Sequence, residues 1–133
     1  IMELSDFAAQ YAESLHKTSG HITCVADRDT IIAVSGPQKK DLIEKALSPE
    51  VEKIIEEKAT VVIKSPEDKV ISIVADENGE KKYTSQVVST IVAEGDPIGA
   101  VIMLSTDPNM KMGEVEAKLA QSAANFLGKQ MEQ

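Results

Sequence analysis

The chain has 133 residues, enough for one hydrophobic core and too few for two. Its hydrophobic content is 42% but only 3% is aromatic, so the core is expected to be aliphatic, and no run approaches the ~20 apolar residues of a membrane span. A net charge of −8, with Arg28 as the only arginine, argues against this segment gripping nucleic-acid phosphates itself.

Leu4, Phe7, Ala8, Tyr11, Ala12 and Leu15 recur at three- and four-residue spacing and predict an amphipathic helix. Ser5 or Asp6 is its expected cap, and Ser19-Gly20 its stop. Ile22, Cys24 and Ala26 then alternate with Thr23, Val25 and Asp27 as a strand, followed by an Asp27-Arg28-Asp29-Thr30 turn and a second strand over Ile31–Ser35. Pairing Asp27 with Thr30 puts Ile22, Cys24, Ala26, Ile31, Ala33 and Ser35 on one face and Thr23, Val25, Ile32 and Val34 on the other. Beyond Ser35-Gly36-Pro37 a short helix is expected over 38–47. A second follows Ser48-Pro49, with serine at the N-cap, proline at the first helical position, and Glu50 and Glu52 in the first turn. Strands are predicted over 60–64 and 70–75, and Asn78-Gly79 marks a turn over 76–80.

Two runs rich in Val, Ile and Thr, 86–92 and 98–105, flank a Gly/Asp/Pro cluster and predict the central hairpin. With Gly95-Asp96 as a type II′ loop, Ile98, Ala100, Ile102 and Leu104 share a face with Val87, Ser89, Ile91 and Ala93. Gly99, Val101, Met103 and Ser105 then share the other with Gln86, Val88, Thr90 and Val92. After a loop over 106–112, Val115, Leu119, Ser122, Ala123, Phe126, Leu127 and Met131 form the stripe of a long final helix.

This order predicts an α+β domain: an antiparallel sheet of five or six strands, the two terminal helices on one face and the short helices on the other. The terminal helices carry small residues that permit close approach. Leu4, Ala8, Tyr11, Ala12, Ala120, Ala123, Ala124 and Phe126 either complete the core or also meet a second copy, as a dimer or tetramer. The more polar sheet face, with Thr23, Val25, Ile32, Val34, Gln86, Val88, Thr90, Val101 and Met103, is the candidate lining of a small-molecule pocket beneath the short helices; packed side chains are the alternative.

No catalytic residue, metal-ligand set or cofactor motif is expected. Cys24 lies on an alternating apolar strand, and a single cysteine forms no internal disulfide and fits a reducing cytoplasm. His16 and His21 bracket a Ser-Gly turn without the further ligands a metal needs. Gly95-Asp96-Pro97-Ile98-Gly99 leads into a strand, not the helix a phosphate loop requires.

The element order, and the stretch from Ile91 through Gly95 and Ile98-Gly99 to Ile102, resemble a GAF domain, the sensor fold related to PAS. Met112-Gly113-Glu114-Val115-Glu116 and Ala123 through Gln133, with Asp27-Arg28-Asp29, Ala33-Val34-Ser35-Gly36 and Lys39-Lys40-Asp41, are similar to the C-terminal domains of the stage V sporulation T regulators. The resemblance spans essentially the whole chain, most weakly over 49–83. It implies a single GAF-like regulatory domain over 1–133 of a sporulation transcription regulator, cytoplasmic and homo-oligomeric, sensing an unidentified small molecule. DNA would be bound only through an AbrB-like N-terminal domain that this chain, starting at Ile1, lacks. Bilin attachment and methionine sulfoxide reduction, which other GAF proteins perform through cysteines, are not expected with Cys24 alone. A ligand-free oligomerisation scaffold, or an adaptor of the roadblock or profilin-like kind, are the alternatives.

Overall fold

The computed structural model describes residues 3–77 and 83–132. In chain order the elements are α1 (Ser5–Ser19), β1 (Ile22–Asp27), β2 (Ile31–Ser35), α2 (Lys39–Leu42), α3 (Pro49–Glu56), β3 (Thr60–Lys64), β4 (Ser85–Ala93), β5 (Asp96–Ser105) and α4 (Glu114–Met131). The five strands form one antiparallel sheet in the order β2-β1-β5-β4-β3. The expected layers are present: α1 and α4 cover one face, α2 and α3 the other. The predicted turn at Asn78-Gly79 lies outside the described residues.

Local chemistry explains several boundaries. Gly20, at φ 78°, ends α1 and donates its N–H to the His16 carbonyl at 2.7 Å, a left-handed cap that glycine adopts without strain. The N-terminus differs from expectation: Leu4 holds the cap position, and the Asp6 carboxylate instead accepts the Glu3 N–H at 2.8 Å. Ser48 caps α3 as predicted, its hydroxyl oxygen accepting the Val51 N–H at 3.1 Å ahead of Pro49.

Both hairpins depart from the predicted register by one residue. The β4–β5 loop is Glu94-Gly95, with φ of 51° and 85° at its two central positions, so the turn is of the I′ kind and Ala93 pairs with Asp96. A bulge then lets Val92 face Pro97 and Ile91 face Gly99, leaving Ile98 as the extra residue. Beyond it Thr90 pairs with Ala100, Val88 with Ile102 and Gln86 with Leu104. In β1–β2, Ala26 pairs with Ile31 as expected, but a second bulge pairs Val25 with Ala33 and Cys24 with Val34. Because side chains alternate with period two, each slip exchanges the two faces of the paired strands.

Two predicted elements are corrected. The helix over 38–47 is only the turn α2: Ile43 is extended and Glu44 has φ 63°. The chain then lies against the start of β2, with Glu44 N–H donating to Ile31 O at 2.8 Å, Ile31 N–H to Lys45 O at 3.0 Å and Leu47 N–H to Asp29 O at 2.9 Å. Satisfying those strand-edge groups outweighs the modest helix propensity of the segment. The run over 70–75 joins no ladder of the sheet; it crosses above it, with one isolated bridge between Leu47 and Val74.

The α4 stripe is also rotated from expectation. Ala120, Ala123, Ala124, Leu127 and Gly128 are buried, whereas Val115 and Phe126 are 67% and 63% exposed. Small residues set how near α4 comes to β4. A Cβ on Gly128 would overlap the carbonyl oxygen of Val92. Gly128→Ala gains roughly 1 kcal/mol of helix propensity but must push a backbone-limited contact apart, an overpacking cost of about 1–3 kcal/mol or more. Urea denaturation is expected to show net destabilisation; a variant as stable as the parent would mean that α4 rides farther from β4.

Candidate functional site

The corrected registers divide the nine residues expected to line one pocket. Thr23, Val25, Ile32, Val101 and Met103 face the terminal helices: Val25, Val101 and Met103 belong to the core cluster containing Leu4, Ala8, Ala120 and Leu127, and Ile32 packs against it. Val34, Gln86, Val88 and Thr90 face the short helices, sharing that side with Cys24, Ala26, Ala100, Ile102 and Leu104. Sequence periodicity alone misses both bulges, which is why the set splits.

The helix-covered side is sealed. Of the eight residues expected at an interface between copies, Leu4, Ala8, Ala12, Ala120, Ala123 and Ala124 are buried within this chain. Tyr11 is half-buried, and only Phe126 is exposed. The outer surface of α4 instead presents Val115 and Phe126, with the half-buried Leu119 and with Ser122 between them, at spacings of four, three and four.

The opposite side is built differently. Its roof comprises α2, α3 and the crossover over 69–77, which includes the predicted strand over 70–75. Leu42, Leu47, Val51, Ile55, Ile73, Val74 and Tyr83 pack down on Cys24, Val34, Val88 and Ile102. Polar side chains of the sheet and of the roof itself tie it in place. Gln86, fully buried on β4, accepts the Ile71 N–H at its Oε1 (3.0 Å) and donates from Nε2 to the Ile71 carbonyl (2.7 Å). The buried amide therefore has a backbone partner for each of its ends. Thr90, four residues further along the same face, has its hydroxyl 2.9 Å from Ala59 O and 3.2 Å from Ile54 O, carbonyls at and just beyond the end of α3 that also accept the Thr90 and Ala59 N–H groups respectively. Ser48 donates its hydroxyl to Ser72 O at 2.5 Å and its N–H to Ile73 O at 2.9 Å.

Among the described residues, two buried oxygens on this side lack a hydrogen-bond partner, Gln38 Oε1 and Glu77 Oε2. The Tyr83 phenol is held above its usual range chiefly by burial, with Cys24, Glu77 and Asp41 adding to it. Burial pushes the Cys24 thiol up to about 12, so the nucleophilic thiolate is disfavoured. Among the described residues no three His, Cys, Asp or Glu side chains gather as a metal site would need, and no helix is long and apolar enough to cross a membrane.

Residues 3–132 match the family model described as stage V sporulation protein T C-terminal, transcription factor. The chain is 43% identical over 134 residues to stage V sporulation protein T of Bacillus subtilis (strain 168), covering all of this chain and 71% of that protein. Its fold is similar to the GAF domain of an Acinetobacter phosphoenolpyruvate-protein phosphotransferase, with a TM-score of 0.75 and 12% identity over 97% of this chain and 82% of that one. It is also similar to the cofactor-binding GAF domain of the nutrient sensor CodY from Clostridium difficile, with a TM-score of 0.67 and 13% identity over 92% and 82% of the two chains. The expected GAF fold is thus the observed one, and the chain belongs to the family of stage V sporulation protein T C-terminal domains, a family of transcription factors.

Proposed function

We propose that this chain is a non-enzymatic regulatory domain of a cytoplasmic sporulation regulator. In this reading it binds a small molecule on the short-helix side of the sheet and couples occupancy to subunit arrangement. DNA would be bound through a separate AbrB-like domain joined ahead of α1. The observation that carries this reading is the construction of the roof: Gln86 and Thr90 of the inner strand β4 spend their hydrogen bonds on the backbone of the covering segments, not on other side chains of the sheet. A guest offering equivalent donors and acceptors can compete for both residues. The neighbour CodY is described as a nutrient sensor with a cofactor-binding GAF domain, which favours the same use of the fold here. The depressed reactivity of Cys24, and the acidity of the chain, favour neither catalysis nor direct phosphate contact.

Ligand control requires a guest that prefers one of two arrangements of the domain. Thermal-shift measurement against free amino acids, nucleotides and sugar phosphates is expected to find at least one compound that raises Tm. At about 100 times its Kd, such a compound stabilises by about 2.7 kcal/mol. Thr90→Leu should abolish the shift, while Met103→Leu on the opposite face should keep it. A panel without any hit would leave the scaffold reading.

That scaffold reading has its own support, the apolar strip Val115, Leu119 and Phe126 on the outside of α4. A two-fold pairing of such strips would oligomerise the regulator and raise its avidity for DNA. Phe126→Glu is expected to lower the sedimenting mass while changing stability little, because the ring is largely exposed. Ala123→Glu should instead unfold the chain, because Ala123 is in the core. An unchanged mass for Phe126→Glu would place any subunit contact elsewhere.

A further inference from the structure

Building on the ligand-sensing reading, we propose that residues 69–77 form a strap that opens as a unit over the sheet, with the Gln86 amide as its latch. Four observations point to this. The strap reads as a strand, yet none of its residues joins the ladder of the sheet; it makes one isolated bridge, Leu47 with Val74. Ile73 and Val74 pack into the core beneath it, but among the described residues its hydrogen bonds to the rest of the domain are mostly not ladder bonds. They are the paired bonds from Gln86 to Ile71, those from Ser48 to Ser72 and Ile73, and the Ala75 N–H to the Ala46 carbonyl at 2.9 Å.

The latch itself is unusual in placement. Gln86 is fully buried on a strand with neighbours on both sides, so while the strap is closed its amide bonds to the strap and not to water. The closed form also carries a cost at the far end of the strap. Glu77 accepts the Ile73 N–H at 3.3 Å through Oε1, but its Oε2 is buried without a partner. An orphaned oxygen of this kind favours the state in which it regains water. Opening would uncover Val88, Ile102 and Cys24 and free one donor and one acceptor of Gln86. A guest that supplies an adjacent donor and acceptor, as the Ile71 peptide edge does, would hold the strap in a second position.

Amide hydrogen exchange of the ligand-free 133-residue chain tests the strap separately from ligand binding. The N–H groups of Ile71, Ile73, Ala75 and Ser48 are expected to exchange together, at least tenfold faster than those of Val88 and Ile102. Gln86→Met should raise the rate of all four by a further tenfold or more, including Ala75 and Ser48, whose own bonds do not involve Gln86. Gln86→Glu provides a second variant: its protonated carboxyl both accepts and donates, so strap protection relative to the parent should be greater at pH 5 than at pH 8. The strap is overturned if the four amides exchange at the rate of the central strands, or if only Ile71 responds to Gln86→Met. Cooperative opening with no hit in the metabolite panel would retain the strap and remove the sensor; hits on a chain whose strap exchanges with the sheet would do the reverse.

Discussion

The pairing of β4 with β5 sets the position of everything else. It supplies the two longest strands, and each of the remaining neighbours, β1 and β3, is aligned against one of them. Its register is held by a positive-φ pair at Glu94-Gly95 and a bulge at Ile98 three residues later. A strand covered on both sides tolerates no slip, because moving by one residue would deliver Gln86 and Thr90 to the alanine-lined helices and Val87 and Ile91 to the roof. The ladder therefore decides which polar side chains meet the roof and which meet the terminal helices.

The two sides of the sheet are stabilised by different physics. Beneath α1 and α4 the contact is mainly close packing of small and aliphatic groups, with Ser89 and Ser85 bonded to Thr60 and the Met110–Met112 backbone at its edge, and even a methyl group on Gly128 would collide with β4. Such contacts are stiff and leave little to rearrange. Beneath α2, α3 and the crossover, apolar packing is supplemented by directed bonds from Gln86, Thr90 and Ser48 to backbone atoms. Bonds of that kind exchange partners with modest net change in free energy, provided a substitute is at hand. A domain of this family built to respond to a small molecule would need one rigid side to transmit position and one side able to exchange contacts.

Much of the architecture was legible in the amino-acid order. The 3.6-residue periodicity of Leu4 to Leu15, the Ser48-Pro49 cap and the two Val/Ile runs around Gly95 identify their elements, because those signals are local. The layer arrangement also follows, since two amphipathic helices at the ends have only the sheet to bury against. The partition of the candidate pocket residues was not legible. Val34 joins the roof side and Val101 and Met103 the helix side through bulges at which one residue drops out of the ladder, and nothing in Ile32 or Ile98 marks them locally.

Alanine positions on the terminal helices gave a similar ambiguity. Ala8, Ala120 and Ala123 suit a contact between copies as well as a contact within one chain; the coordinates place them inside and leave Phe126 outside. Residues 70–75 have the composition of a strand, but Gln86 and Ser48 hold the segment above the sheet instead of in its ladder. Composition and periodicity thus determined most of the elements, their order and the aliphatic nature of the core, because those depend on neighbours in sequence. Register, facing and the partners of buried polar groups were settled only by tertiary structure, because they depend on which distant segment competes best for each hydrogen bond.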